Sequence, residues 1–189
     1  MIGITAYGAY VPRRRLQRKS VAEANRWFAP GLAGAAKGER AMANYDEDAV
    51  TLAVEAGRDC LPAVEPAADR AFVDAVYFAS TSMPFADRQN AGIVASALQL
   101  RDAISSADVT SSQRAGATAL VLALDAVAAG RAQAPLVVAG ERRKARAASP
   151  QELSFGDAAA AVTLGRDKII ANFLGSHSQT LDFVDHFRG

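Results

Sequence analysis

The chain has 189 residues, 50% of them hydrophobic and only 7% aromatic, with a formal net charge of +1. That length can bury a real core as one domain or form half of a larger one. The near-neutral charge gives no reason to invoke nucleic acid or an anionic membrane as a partner. Ala, Val and Leu carry the apolar content, as in α/β proteins whose helices and strands pack closely. No apolar run reaches the roughly twenty residues needed to span a bilayer. The N-terminus reads as a strand and lacks the charged start and apolar core of a signal peptide, so a cytoplasmic protein is expected. The single Cys60 can form neither an internal disulfide nor a metal cluster, and beside Leu61 in a helical stretch it reads as a core thiol.

In chain order, Ile2 to Val11 alternates apolar and small residues and stops at Pro12, which predicts a first strand with an irregularity at Gly8. Arg13, Arg14, Arg15, Arg18 and Lys19 follow in a predicted loop, either solvated or in contact with a phosphate. Ser20 is placed to cap a short helix through Trp27, closed by Pro30 and a flexible stretch from Gly31 to Gly38, the loop best suited to carry function. Asp46, Glu47 and Asp48 head a helix running to about Leu61, where carboxylates offset exposed N–H groups. No second ligand group lies nearby in sequence, so these acids read as helix-start charges rather than a metal site.

Phe72 to Ala79 is an apolar run of strand length. It breaks at Ser80-Thr-Ser-Met-Pro-Phe85, a polar turn at a strand's carboxyl end, where α/β proteins usually place ligands. Gln89 to Leu98 predicts a helix, and Ala103 to Thr110 a strand leading into the longest apolar helix, about Gln113 to Ala129. That helix is apolar on almost every face and is expected to be buried all round. Ser111 and Ser112 are natural caps for its start and Gly130 a natural stop. Gln113 would then sit at the positive end of a buried helix dipole, a place suited to holding a developing oxyanion, although glutamine neither attacks nor titrates. On local sequence it reads as a cap or a buried hydrogen-bonding group. Ala134 to Ala139 predicts another buried strand. It leads into Glu141-Arg-Arg-Lys-Ala-Arg146, either an exposed loop or an anion contact. Ser154 to Leu164 reads as a Gly-Asp turn followed by a strand of small residues, and Ile169 to Ser176 as a last strand. The order predicts one domain over 1–189 without a long linker or short repeat.

Taken together, Tyr7-Gly-Ala-Tyr-Val-Pro-Arg13, Asp46-Glu-Asp-Ala-Val-Thr51, Asp108 to Thr118, Phe155-Gly-Asp157 and the tail from Ser176 to Arg188 carry a family resemblance. The chain resembles the amino-terminal half of the thiolase superfamily, closest to archaeal-type hydroxymethylglutaryl-CoA synthases and next to 3-oxoacyl-ACP synthase III. The resemblance implies an α/β half-domain with a mixed five-stranded sheet and helices packed on both faces, one of two similar halves of a five-layer fold. It also implies an acyl-CoA thioester substrate, with coenzyme A as part of that substrate and no tightly bound cofactor or metal.

The departures from the family pattern bear on chemistry. Where the family's elbow cysteine accepts the acyl group this chain has Gln113, and where the synthases place an acid/base glutamate it has Thr81, which cannot do that work near neutral pH. The family's catalytic histidine lies in the second half, and His177 and His186 do not match its position, so a structural or surface role is expected for both. The resemblance leaves three readings. The chain is half of an acyl-CoA enzyme completed by a second chain, with Gln113 favouring decarboxylation or carbon–carbon cleavage. Alternatively it is a non-catalytic partner of an active homologue, or Ser111 or Ser112 replaces the nucleophile, for which no activating base is present. Trp27 and Arg40 fall near where the family places an aromatic ring and a cation against the CoA nucleotide, or they are a core Trp and a surface Arg. A second thiolase-like chain or a homo-oligomer is the expected partner, and the resemblance also allows the superfamily's small zinc-ribbon and OB-fold protein as a companion.

Overall fold

The computed structural model describes residues 1–61 and 70–181. Strand β1 (Gly3–Tyr10) is followed by β2 (Arg14–Gln17), helix α1 (Arg18–Ala24), a 3-10 segment (Pro30–Ala35) and β3 (Glu39–Met42). Next come α2 (Ala49–Cys60), β4 (Ala75–Ala79), α3 (Asn90–Ala97), β5 (Ser105–Val109) and α4 (Ala115–Ala128). Strand β6 (Pro135–Glu141), α5 (Pro150–Ser154), β7 (Ala158–Gly165) and the short β8 (Ala171–Asn172) complete the order.

The main sheet is mixed and has six strands, one more than expected, in the order β5-β4-β6-β7-β1-β8. Strands β5, β4 and β6 run parallel, while β7 is antiparallel to both β6 and β1. Parallel neighbours require crossovers, and α3 and α4 supply those into β5 and β6. Helices α2 and α3 bury one face of the sheet: Leu52, Ala53, Val94, Phe78 and Val138 are fully inaccessible in one continuous core. Helix α4 covers part of the other face, where Ala119, Ala123, Leu124 and Val127 meet Ala79, Val137 and Leu164.

Local chemistry explains the best-defined ends. Asp48 caps α2 by accepting from the Thr51 N–H at 2.8 Å, while the Thr51 hydroxyl accepts from the Asp48 N–H at 2.6 Å, a reciprocal capping box. Gly130, at φ +71°, ends α4, with its own N–H on Val127 O and that of Arg131 on Ala126 O. This is a Schellman stop, for which glycine has no steric penalty.

Several expectations are corrected. The irregularity in β1 lies between Ile4 and Ala6, not at Gly8. Gly8 is instead a close-approach site, because a Cβ there would lie 2.3 Å from the Cys60 backbone N. Of the basic run only Arg13 lies in a loop: Arg14 to Gln17 form β2, paired in register with β3 from Arg14 opposite Met42 to Gln17 opposite Glu39, and Arg18 and Lys19 start α1. Ser20 therefore lies inside α1 rather than capping it, and Gly31 to Gly38 is largely a 3-10 segment. The last strand shrinks to Ala171–Asn172. Helix α4 is not buried all round, since Leu122 is 47% exposed and Ala117, Asp125 and Ala128 also face outward. Its apolar composition matches a helix with two contact faces, of which the sheet occupies one.

Candidate functional site

The carboxyl ends of β4, β5 and β6 bring three turns together, as parallel strands with crossover helices do. The Ser80 N–H donates to Val109 O at 3.1 Å and ties the first two turns. After β5 the chain reverses into α4 within five residues, and Ser111 takes φ +69°, a left-handed backbone that a residue with a side chain adopts only under constraint. The Ser112 hydroxyl accepts from the Arg114 N–H at 3.1 Å, and its carbonyl accepts from the Ala115 N–H at 2.9 Å. Neither Ser111 nor Ser112 caps α4: its N-cap is Arg114, which makes no side-chain cap bond, and Ser112 instead closes the turn just before it. Gln113 lies next to it at the helix start but is exposed, so it is neither a side-chain cap nor a buried hydrogen-bonding group. The Arg114 guanidinium reaches the tail and donates to the Ser178 hydroxyl at 3.0 Å.

Thr81 opens the turn after β4 and is bound to a residue that sequence reading passed over. Its N–H and hydroxyl donate to the Glu141 carboxylate at 2.6 and 3.0 Å, and the Ser82 hydroxyl adds a third bond at 2.9 Å. The Arg142 N–H donates back to the Ser82 hydroxyl at 2.8 Å, so the β4 and β6 turns are stitched together. A carboxylate therefore stands beside Thr81, delivered by the neighbouring strand rather than by position 81 itself. In sequence Glu141 heads a run of cations and reads as part of a charged loop. The usable signal was its place as the last residue of an apolar parallel strand.

Trp27 and Arg40 sit in an outlying unit of α1, β2, β3 and α5 around a small core of Val21, Ala22, Leu32 and Leu153. Trp27 is 86% exposed, its ring tilted against Phe28 with centroids 5.5 Å apart, so it is not a core residue. Arg40 is half-buried, and its Nε donates to Glu152 O at 3.0 Å. Asp157, expected in a turn, is buried and accepts from the Ala43 N–H at 2.7 Å, fastening this unit to β7.

His177 is exposed on the tail, and His186 lies outside the described residues. Cys60, the last residue of α2, is buried as a core thiol. Burial pushes it up from 9.0 to about 11, against the pull of hydrogen bonding with Thr163. Among the described residues, no three His, Cys, Asp or Glu side chains assemble as a metal site, and no helix is long and apolar enough to cross a membrane.

No protein-family model matches the chain. It is 31% identical to hydroxymethylglutaryl-CoA synthase of Methanocaldococcus jannaschii, over 100% of this chain and 54% of that protein. A solved hydroxymethylglutaryl-CoA synthase in complex with CoA superposes with a TM-score of 0.74 at 25% identity, over 88% of this chain and 42% of that one. The β-ketoacyl-[acyl carrier protein] synthase III of Thermus thermophilus superposes with a TM-score of 0.66 at 28% identity, over 87% of this chain and 51% of that one. The chain spans about half the length of the curated relatives it matches. Alike over its own whole length to about half of a synthase in sequence, and in fold to solved synthases, the chain carries the marks of the thiolase-like superfamily.

Proposed function

We propose that residues 1–189 form one half of a thiolase-type acyl-CoA enzyme, completed by a second chain of the same fold, which makes, breaks or decarboxylates a carbon–carbon bond of an acyl thioester. The observation that carries this reading is the open face of the sheet. Alongside α4, Tyr7 is 73% exposed and Leu122 47%, although both project from elements otherwise packed into the fold. Apolar surface left uncovered on the α4 side of the fold is where a second half would pack. The likeness to a synthase solved with CoA supports an acyl-CoA as the substrate.

In this reading Gln113 stands at the acyl-accepting position and forms no acyl-enzyme. Its amide and the first N–H groups of α4 polarise the thioester carbonyl or hold an enolate oxygen. Ser112, with its hydroxyl already accepting a bond from Arg114, positions the turn rather than attacking. Trp27 is free to stack on the nucleotide of CoA, and Arg40 supports its strand.

One observation favours a second reading, a non-catalytic partner that shapes the acyl pocket and stabilises an active thiolase-type subunit. Thr81 is committed to Glu141 and Gln113 cannot titrate, so this half by itself offers no free acid or base at these two positions. Native mass spectrometry of the protein from its own source, followed by malonyl-CoA and 3-oxoacyl-CoA turnover by whatever complex is found, separates the two. Turnover that falls on Gln113→Ala supports the enzyme. A second chain whose activity is indifferent to Gln113→Ala supports the scaffold, and a stable monomer without partner would sink both.

A further inference from the structure

On the side of the sheet covered by α2, away from α4, the turns after β4 and β6 enclose a cleft of about 680 Å³. Thr81 and Ser82 form one wall, Arg142, Arg143 and Lys144 the other, and Asp48 at the start of α2 closes the end. The charge in it is lopsided. Arg142, Arg143 and Lys144 make no ion pair among the described residues, and the carboxylate nearest them in sequence, Glu141, is taken up by Thr81 and Ser82. Asp48 is the single acid in the lining, and one of its oxygens accepts from the Thr51 N–H.

The walls are also held in place without a ligand. Glu141 takes three hydrogen bonds from the opposite turn, and the Arg142 N–H returns one to Ser82. The Arg143 guanidinium lies 4.1 Å from the centre of the Phe155 ring, a stacking that orients the planar fork and leaves its edge free to donate. Three cations in a preformed concave site, outnumbering the one lining acid Asp48 and the hydrogen-bonded Glu141 beside them, suit a compact ligand carrying two negative charges on oxygen. We infer that this cleft binds a small dianion, a phosphate or a dicarboxylate, through Arg142, Arg143 and Lys144. The inference stands independently of the role of Gln113, which lies at the start of the helix on the other face.

The test is calorimetric titration of the full-length protein with inorganic phosphate and, separately, with malonate, at low ionic strength and with chloride as the control anion. Saturable binding of at least one probe is expected, and which of the two binds more tightly tells a phosphate site from a carboxylate site. The double variant Arg142→Ala/Lys144→Ala should weaken it about tenfold or more, the scale of one lost charge-assisted contact. Asp48→Asn, which keeps a capping side chain and removes the like charge, should tighten it. The control Arg131→Ala, elsewhere on the surface, should leave it unchanged. Absence of saturable heat with both probes overturns the inference. So does equal affinity in the double variant, or a loss in Arg131→Ala as large as in the double variant.

Discussion

The two faces of the main sheet are built to different specifications. Under α2 and α3 the side chains are large and sealed: Leu52, Leu98, Phe78 and Val138 have no exposed surface. Under α4 the contacts are made largely by alanines, Ala115, Ala119 and Ala123, and the helix keeps a second face in the open. Burial of branched and aromatic side chains stabilises by about 1.5–3 kcal/mol each, several times what an alanine methyl contributes. The comparison teaches that this half of the fold draws most of its stability from one side of the sheet. On the other side, small residues let a helix lie close to the strands while leaving a surface for something else to cover.

Substitutions test that asymmetry directly. Phe78→Ala removes a fully buried ring from the α2 face and should cost about 3–5 kcal/mol in urea unfolding. A loss below about 1 kcal/mol would mean that this face is not the main source of stability. Asp48→Ala deletes half of the capping box at the head of α2 and should cost about 1 kcal/mol, with Asp48→Asn retaining most of it.

Cys60 probes the same core through pH. Its thiol is raised by burial from 9.0 to about 11, so the neutral form is favoured in the folded state. The stability this contributes is fully present below pH 9 and is lost as pH rises towards 11. Melting curves of the protein and of Cys60→Ala should therefore converge or cross in the direction of the variant over that interval, and parallel curves would place the thiol in contact with solvent. The smallest effect is expected on the α4 face, where Leu122→Ala should change stability by less than about 0.5 kcal/mol while weakening any complex that covers the helix.

Much of the frame was legible before folding. The apolar runs of β4 and β6, the acids heading α2 and the glycine ending α4 each carry their signal within a few residues, because period, capping and turn chemistry are local. The β2–β3 ribbon was not legible. Arg14-Arg-Leu-Gln17 has a single apolar residue and becomes a strand only because Glu39–Met42 pairs with it. The burial of α4 was overread, since a uniformly apolar helix says that both faces meet something without saying that the same chain supplies it. At the candidate site, the position of Gln113 at the helix start was readable and its exposure was not. Glu141 escaped notice because its partners lie 59 and 60 residues away.

By itself, then, the sequence determined which segments are strands and helices along the parallel part of the sheet, that Cys60 is a core thiol, and that the chemistry-bearing turns fall at strand carboxyl ends. Only the tertiary structure decided which turns meet. It brought the Glu141 carboxylate onto Thr81 and, among the described residues, left three cations without an ion pair around a cleft and one face of α4 exposed. Local patterns report the environment a residue needs, whereas the identity of its neighbour depends on strand order and crossovers. Those are settled by long-range packing that no short window contains.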